Sequence, residues 1–473
     1  MSLNFNYIRN KIRQYETNDL LDFCYNYIQL QNERSFPIWP IFTLMKWSYL
    51  HGGYNINLKK LNNENFLKLL NLTFELNNDH VSNFLKTNIH RGFYILASQQ
   101  FYLQKNVSLQ VFATQLKLYS SLKGKYDIEK SFLEKTGLSI FDFLYLQQIT
   151  WLYVNVDNTS NTFKYEGHLT KEFIDVLIQM TNLNKVNSFL NLLILNPTTT
   201  IESIEKYKRR IILEDLQSLE TTFFTIYPFQ FFNNQIKVIH KSVYNHFANY
   251  YIYDFMKSND SDFTTEFGYR FERYIGSSLT EIKYNFKDEN SIKKLLPKNS
   301  NLVDFYVDPY NIFIECKAIE IQAYTSINPT DELLYNSLKD SILKAYFKQF
   351  LNVAKSMSPD TENWGIILTY KELFWSSFDE LFEIGKDKFS NSKDYKFLPP
   401  ENVFIIDIYS WNTIIEIIKD KKATLLDILK VAKSNNSSPK TKKQLFNMHL
   451  NIYNLEISSS FFLQEEIELL KIK

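Results

Sequence analysis

The sixteen residues Leu302-Val-Asp-Phe-Tyr-Val-Asp-Pro-Tyr-Asn-Ile-Phe-Ile-Glu-Cys-Lys317 leave this chain few ways to fold around them. Asp308-Pro309-Tyr310-Asn311 is a strong turn, because proline pre-sets the backbone at the second position and aspartate favours the first. A hairpin with its tip at Pro309 and Tyr310 pairs 308 with 311, 306 with 313 and 304 with 315. Asp304 then lies opposite Glu315 on one face, with Cβ atoms roughly 4.5–5.5 Å apart. Lys317, two residues further on, points to the same side. Val303, Phe305, Val307, Ile312 and Ile314 form an apolar opposite face that Cys316 continues. One face is therefore core, while the other brings two carboxylates together. Like charges placed so are destabilising unless a cation joins them. A hard divalent ion such as Mg²⁺ takes oxygen ligands and keeps several waters. A lysine beside it can orient or activate a water, or stabilise charge on a phosphate. That set suits phosphodiester hydrolysis.

The surrounding chain fits a multidomain α+β protein. Residues 1–215 read as an all-α domain for recognition or regulation. Apolar residues recur with helical period over Asp19–Gln31, Val81–Phe101, Ile140–Val154 and Phe173–Met180, and Asn-rich or Gly-containing turns separate them. No repeat of fixed period is evident. From residue 221 the texture changes. Phe224–Phe232, the turn Asn233-Asn234 and Gln235–Ile239 read as a hairpin, followed by a helix over Ser242–Met256. A second helix, Glu266–Ile282, carries the stripe Phe267, Phe271, Tyr274 or Ile275, Ser278 and Ile282. After the hairpin 302–321 come a long helix over 331–357 and buried strands at Gly365–Tyr370 and Val403–Ile408. Residues 216–430 thus have α-β-β-α-β-α-β order, a mixed sheet flanked by helices. Residues 431–473 form a linker, Ser434–Lys443, and a helical C-terminal tail.

Charge and cysteine content narrow the setting. The formal net charge is +1, so a nucleic-acid surface would have to arise from local clustering. Lys206, Lys208, Arg209 and Arg210 are the densest basic group of the first half, better read as a surface helix than as a phosphate contact. Two cysteines, Cys24 and Cys316, argue against a disulfide framework and a Cys-rich zinc site. No apolar run approaches the roughly 18 residues of a membrane span, and the charged N-terminus lacks the apolar core of a signal peptide. A cytoplasmic protein is expected.

Asp304, ten intervening residues and Glu315-x-Lys317 resemble the PD-(D/E)xK nuclease superfamily, which has the restriction-endonuclease-like fold. The resemblance covers roughly residues 220–420, and the proline that often precedes the family's first aspartate is replaced by Val303. It implies a metal-dependent endonuclease in which Asp304 and Glu315 hold Mg²⁺ or Mn²⁺ and Lys317 orients the nucleophile. A glutamate from the preceding helix often joins such sites: Glu272 matches, with Glu266 as second candidate. Lys344, Lys348 and Gln349 are the equivalents of polar residues on the following helix, the lysines in phosphate contact. The implied substrate is DNA, and the implied biology is bacterial defence against phage or foreign DNA. A homodimer, a partner protein or a phage-derived trigger is compatible with it. RNA, including transfer RNA in a toxin-like or abortive-infection system, is the alternative substrate. A decayed nuclease fold that only binds a partner is the non-enzyme alternative.

Overall fold

A computed structural model describes residues 3–30, 38–53, 58–100, 107–155, 167–195, 216–220, 222–437, 444–455 and 461–472. The basic group 206–210, the turn at 158–161 and most of the linker at 434–443 lie outside the described residues. The chain packs as two compact units. One comprises Met1–Phe112, Lys130–Phe255 and Ile472–Lys473; the other comprises Ala113–Glu129 and Met256–Lys471. The division therefore falls at 255/256 rather than at 215/216, and a segment from the N-terminal half belongs to the second unit.

In the first unit, helices pack around a core that includes Phe42, Leu44, Met45 and Trp47. The helix Trp39–His51 is buried along its whole length to Leu50, as expected for a helix apolar on all sides. The expected helical run 81–101 is two helices, Asn63–Thr87 and Ile89–Gln100. Asn88 separates them, because its side-chain oxygen takes the backbone N–H groups of His90 and Arg91 and so starts a new helix.

This unit is not all-α. Strands β1 (His168–Leu169), β2 (Ile194–Leu195), β3 (Phe229–Phe232) and β4 (Gln235–Val238) form a sheet in the order β1-β4-β3-β2. The hairpin β3–β4 turns at Asn233 and Asn234, both with positive φ, the conformation a tight two-residue hairpin needs. Residues 223–225 are a 3₁₀ turn rather than strand.

The second unit is built on strands β5 (Phe286–Asp288), β6 (Phe305–Val307), β7 (Ile312–Lys317), β8 (Trp364–Thr369) and β9 (Val403–Asp407), in that spatial order. The pairs β5–β6 and β6–β7 are antiparallel, whereas β7–β8 and β8–β9 are parallel. The hairpin has the register its turn residues dictate: Phe305 faces Ile314, Tyr306 faces Phe313 and Val307 faces Ile312. Continued outwards, that register sets Asp304 opposite Glu315. The tip is a 3₁₀ turn, Asp308–Tyr310, closed by Asn311 at φ 51°, a left-handed conformation that asparagine tolerates well.

Val303, Phe305, Val307, Ile312 and Ile314 are all buried. Gly276 lets the helix Phe263–Glu281 come close to them, since a Cβ there would meet the Phe305 ring at 3.2 Å. The carboxylate face is covered as well. Tyr306 and Phe313 are buried, and Phe313 packs against Phe350 with centroids 6.5 Å apart.

Phe350 belongs to what sequence periodicity makes one helix over 331–357. The structure divides it into Asp331–Leu338, Ile342–Lys344, a π-helical stretch Ala345–Phe350 and Leu351–Met357. Such π segments lodge an extra residue in a helix and are frequent at functional sites.

Candidate active site

Asp304 and Glu315 meet across the β6–β7 pair, as the register requires, and each takes a backbone N–H from the other strand. The Asp304 N–H donates to Glu315 Oε2 at 3.2 Å, and the Cys316 N–H donates to Asp304 Oδ2 at 2.6 Å. Lys317 Nζ donates to Glu315 Oε1. Gln349, carried by the π-helical stretch, donates from Nε2 to the same oxygen at 2.7 Å and to Leu302 O at 2.6 Å. This amide thus ties the covering helix both to the carboxylate pair and to the strand leading into it. Its own carbonyl, Gln349 Oε1, is buried without a partner.

Burial dominates the electrostatics. Glu315 is 2% exposed; burial and then the nearby Asp304 push its carboxyl up to about 7. Asp304 is pushed up to about 6, mainly by burial; the Cys316 N–H works against this and Glu272 adds to it. Glu272 is half-buried and is also raised, by burial, then by Glu289 and Glu315. Lys317 is raised: burial opposes its charge, but Glu315 and Asp304 outweigh burial. One cation thus faces a group of carboxyls that repel one another, and the positive charge within the site falls short of the negative.

Comparison with family models, with curated proteins and with solved structures finds no match.

The candidate residues therefore stand on geometry. Asp304, Glu315, Lys317 and Gln349 form one bonded group. Glu272 shares its field without a direct bond to the pair. Lys344 and Lys348 are exposed on the same helical run and do not join the group. Glu266, the second candidate for the helix glutamate, belongs to a separate ion pair with Arg270 at 2.9 Å. Glu289 is a site neighbour that sequence reasoning missed. It follows the three-residue edge strand β5 and raises both Asp304 and Glu272. A strand that short leaves no periodicity to read.

Among the described residues no group of three or more His, Cys, Asp or Glu side chains is gathered to hold a metal ion. The donor set fits a cation that needs fewer protein ligands. Mg²⁺ is commonly held by one or two carboxylates, with water and substrate phosphate completing its shell. Two opposed carboxylates with charge in excess of their lysine, beside the buried acceptor Gln349 Oε1, supply such a half-shell. Zinc, which takes nitrogen and sulfur donors in a closed tetrahedron, does not fit.

Proposed function

We propose that this protein is a metal-dependent nuclease whose active site is Asp304, Glu315 and Lys317. The observation that carries the reading is the bonded carboxylate pair held in a buried, electrostatically unbalanced site with a lysine on one of its oxygens. Perturbed carboxyls beside a specific partner are a frequent mark of functional sites. The mixed sheet, in which an antiparallel hairpin leads into parallel strands, supports the resemblance to PD-(D/E)xK nucleases.

In this reading Asp304 and Glu315 would hold Mg²⁺ or Mn²⁺, and Glu272, whose charge acts on Asp304, would help hold the ion or its water. The ion would lower the pKa of a bound water and polarise the phosphate. Lys317, whose ammonium donates to Glu315 Oε1, would orient that water and stabilise the charge that grows on the phosphate in the transition state. Gln349 fixes Glu315 and keeps its own Oε1 as a buried acceptor without a partner. The covering helix keeps bulk water away from the pair and so strengthens each interaction.

DNA is the substrate proposed, with RNA as the competing arm of the test. Purified protein is incubated with plasmid, linear and single-stranded DNA, and total RNA, with Mg²⁺ or Mn²⁺, beside Asp304→Ala and Lys317→Ala. Cutting that requires metal and is lost in both variants supports the reading, and the degraded species identifies the substrate. Cutting that survives both substitutions contradicts it.

A further inference from the structure

A second polar feature of the same unit is not used by the carboxylate site. Beside the π-helical stretch lies a groove of about 600 Å³ lined by Lys339, Lys344, Lys348, Lys388, Tyr335 and Phe389, together with asparagine amides. Four lysines line it against one carboxylate, that of Asp340. This is a dense positive cluster for a chain whose formal net charge is only +1.

Among the described residues none of these lysines is neutralised by a carboxylate; Lys348 Nζ lies over the ring of the groove's own Phe389, 5.9 Å from its centroid. Lys344, Lys348 and Lys388 are exposed, and none forms an ion pair among the described residues. Lys339 reaches only the Asn336 side chain, at 3.4 Å. In this unit other lysines are neutralised: Lys257 and Lys371 both pair with Glu320, and Lys419 pairs with Glu281. A site that keeps several lysines unpaired around one cavity is suited to a polyanion.

The groove also has an aromatic wall. Phe389 stacks on buried Phe347 with centroids 4.8 Å apart and planes 6° from parallel. Tyr335 meets Phe389 edge to face at 6.4 Å and 64°. The wall is thus anchored in the core and half-exposed to the groove. A volume of this size is that of a small-ligand pocket. It accepts a nucleotide or two with bases turned out of a stack. A duplex keeps its base faces covered by its own neighbours and offers such a wall nothing to stack on.

Position links the groove to the carboxylate pair. Lys344, Lys348 and Asn352 follow one another at four-residue spacing along the helical run. Asn352 donates to Asn301 O at 3.0 Å on the groove side, and the neighbouring Gln349 holds Leu302 O and Glu315. Asn301 and Leu302 lead directly into Asp304.

We infer that this groove holds a single strand of nucleic acid, with the lysines on its phosphates and a base against Tyr335 and Phe389, and feeds that strand to the Asp304–Glu315 pair. The inference rests on the nuclease reading for its direction, but the binding itself needs no metal.

The test is fluorescence anisotropy of the full chain in EDTA, where no strand is cut. The probes are labelled single-stranded DNA, single-stranded RNA and duplex DNA of equal length, across a salt series. The variants are the triple Lys344→Ala/Lys348→Ala/Lys388→Ala, Tyr335→Ala, and Lys430→Ala, an exposed lysine outside the groove. Wild type should prefer both single strands over duplex. The triple variant should lose about tenfold or more in affinity at low salt, and its log–log salt slope should fall by about 2 for three lost single-strand phosphate contacts. Tyr335→Ala should lose about fivefold or more with the slope unchanged, as expected for a lost base stack. Lys430→Ala should bind as wild type does.

Equal losses in Lys430→Ala and the triple variant, or wild-type binding by the triple variant, would overturn the groove. Duplex bound as tightly as single strands would overturn its single-strand assignment. The two readings separate cleanly. If the triple variant loses binding while the metal-loaded wild type cuts nothing, the groove stands and the nuclease reading falls. If wild type cuts and the triple variant binds normally, the reverse holds.

Discussion

Glu266 and Glu315 are both almost fully buried, at 5% and 2% exposure, yet the protein treats them in opposite ways. Glu266 lies in a finished ion pair. Arg270 Nε donates to its Oε1 at 2.9 Å, and the backbone N–H groups of Lys125 and Tyr126 donate to its Oε2 at 3.1 and 3.2 Å. Arg270 uses its remaining nitrogens on the carbonyls of Leu118, Tyr119 and Tyr126. At Gly124 the backbone passes so close that a Cβ would sit 1.4 Å from Glu266 Oε1. Burial opposes the Glu266 charge, but Arg270 and the backbone donors outweigh it, and its carboxyl is lowered.

Glu315 has Lys317 and Gln349, but it also faces Asp304, with Glu272 and Glu289 nearby, and its carboxyl is raised. The difference separates a carboxylate whose charge is matched within the chain from one that shares a single lysine with a second carboxylate. Helix and strand supply everything the first site needs. They leave the second with more carboxylates than cations.

Breaking the finished site should give the largest effect. Arg270→Met leaves Glu266 buried without its cation and three carbonyls without a donor, which costs about 3–5 kcal/mol. Urea denaturation would show the loss. Lys317→Met should cost far less by the same measure, because Glu315 can take up a proton near neutral pH. Comparable losses in the two variants would erase the contrast.

Asp304→Asn should change stability in the other direction. In metal-free protein above neutral pH it removes a half-buried, repelled charge while keeping an acceptor for the Cys316 N–H, a gain on the order of 1–3 kcal/mol. Glu266→Gln should destabilise under the same conditions. A destabilised Asp304→Asn would contradict the account.

The pH dependence sharpens the contrast. Asp304 and Glu315 have folded-state pKa values raised above their ordinary 3.8 and 4.5, to about 6 and about 7. The folded state therefore binds more protons than the unfolded state between those limits, and stability falls as pH rises from about 4 to about 7. For Glu266 the folded value is lowered, so its contribution is lost as pH falls. Thermal melts of metal-free wild type and Asp304→Asn should diverge as pH rises across that window. Mg²⁺ should close the gap above it, because only the ionised carboxylates bind the ion. Parallel curves would show that the pair is not strained.

The smallest effects belong to the groove. Lys344→Ala and Lys348→Ala, at exposed positions, should leave stability within about 0.5 kcal/mol in the same denaturation series.

Much of the carboxylate pair is legible in the sequence. Asp308-Pro309-Tyr310-Asn311 sets the register, and the register alone puts Asp304 opposite Glu315. The clean apolar set from Val303 to Ile314 marks the core face. What covers the other face was not legible. The π-helical stretch 345–350 looks like ordinary helix in a chain this rich in Phe and Tyr, so Gln349 could be named but not placed. Strands β1 and β2 have two residues each, too few for periodicity to register. Their absence from a sequence reading assigns the β3–β4 hairpin to the wrong part of the chain. Glu272 and the second candidate Glu266 sit on one helix, and only the structure shows that Glu266 is already taken, by Arg270 and the backbone of Lys125 and Tyr126.

The most direct test of the central claim is an equilibrium titration of the full chain with Mn²⁺ followed by electron paramagnetic resonance. Binding should saturate, be lost in Asp304→Asn and Glu315→Gln, and be kept in Lys344→Ala. Unsaturable binding, or binding that survives removal of both carboxylates, would contradict it.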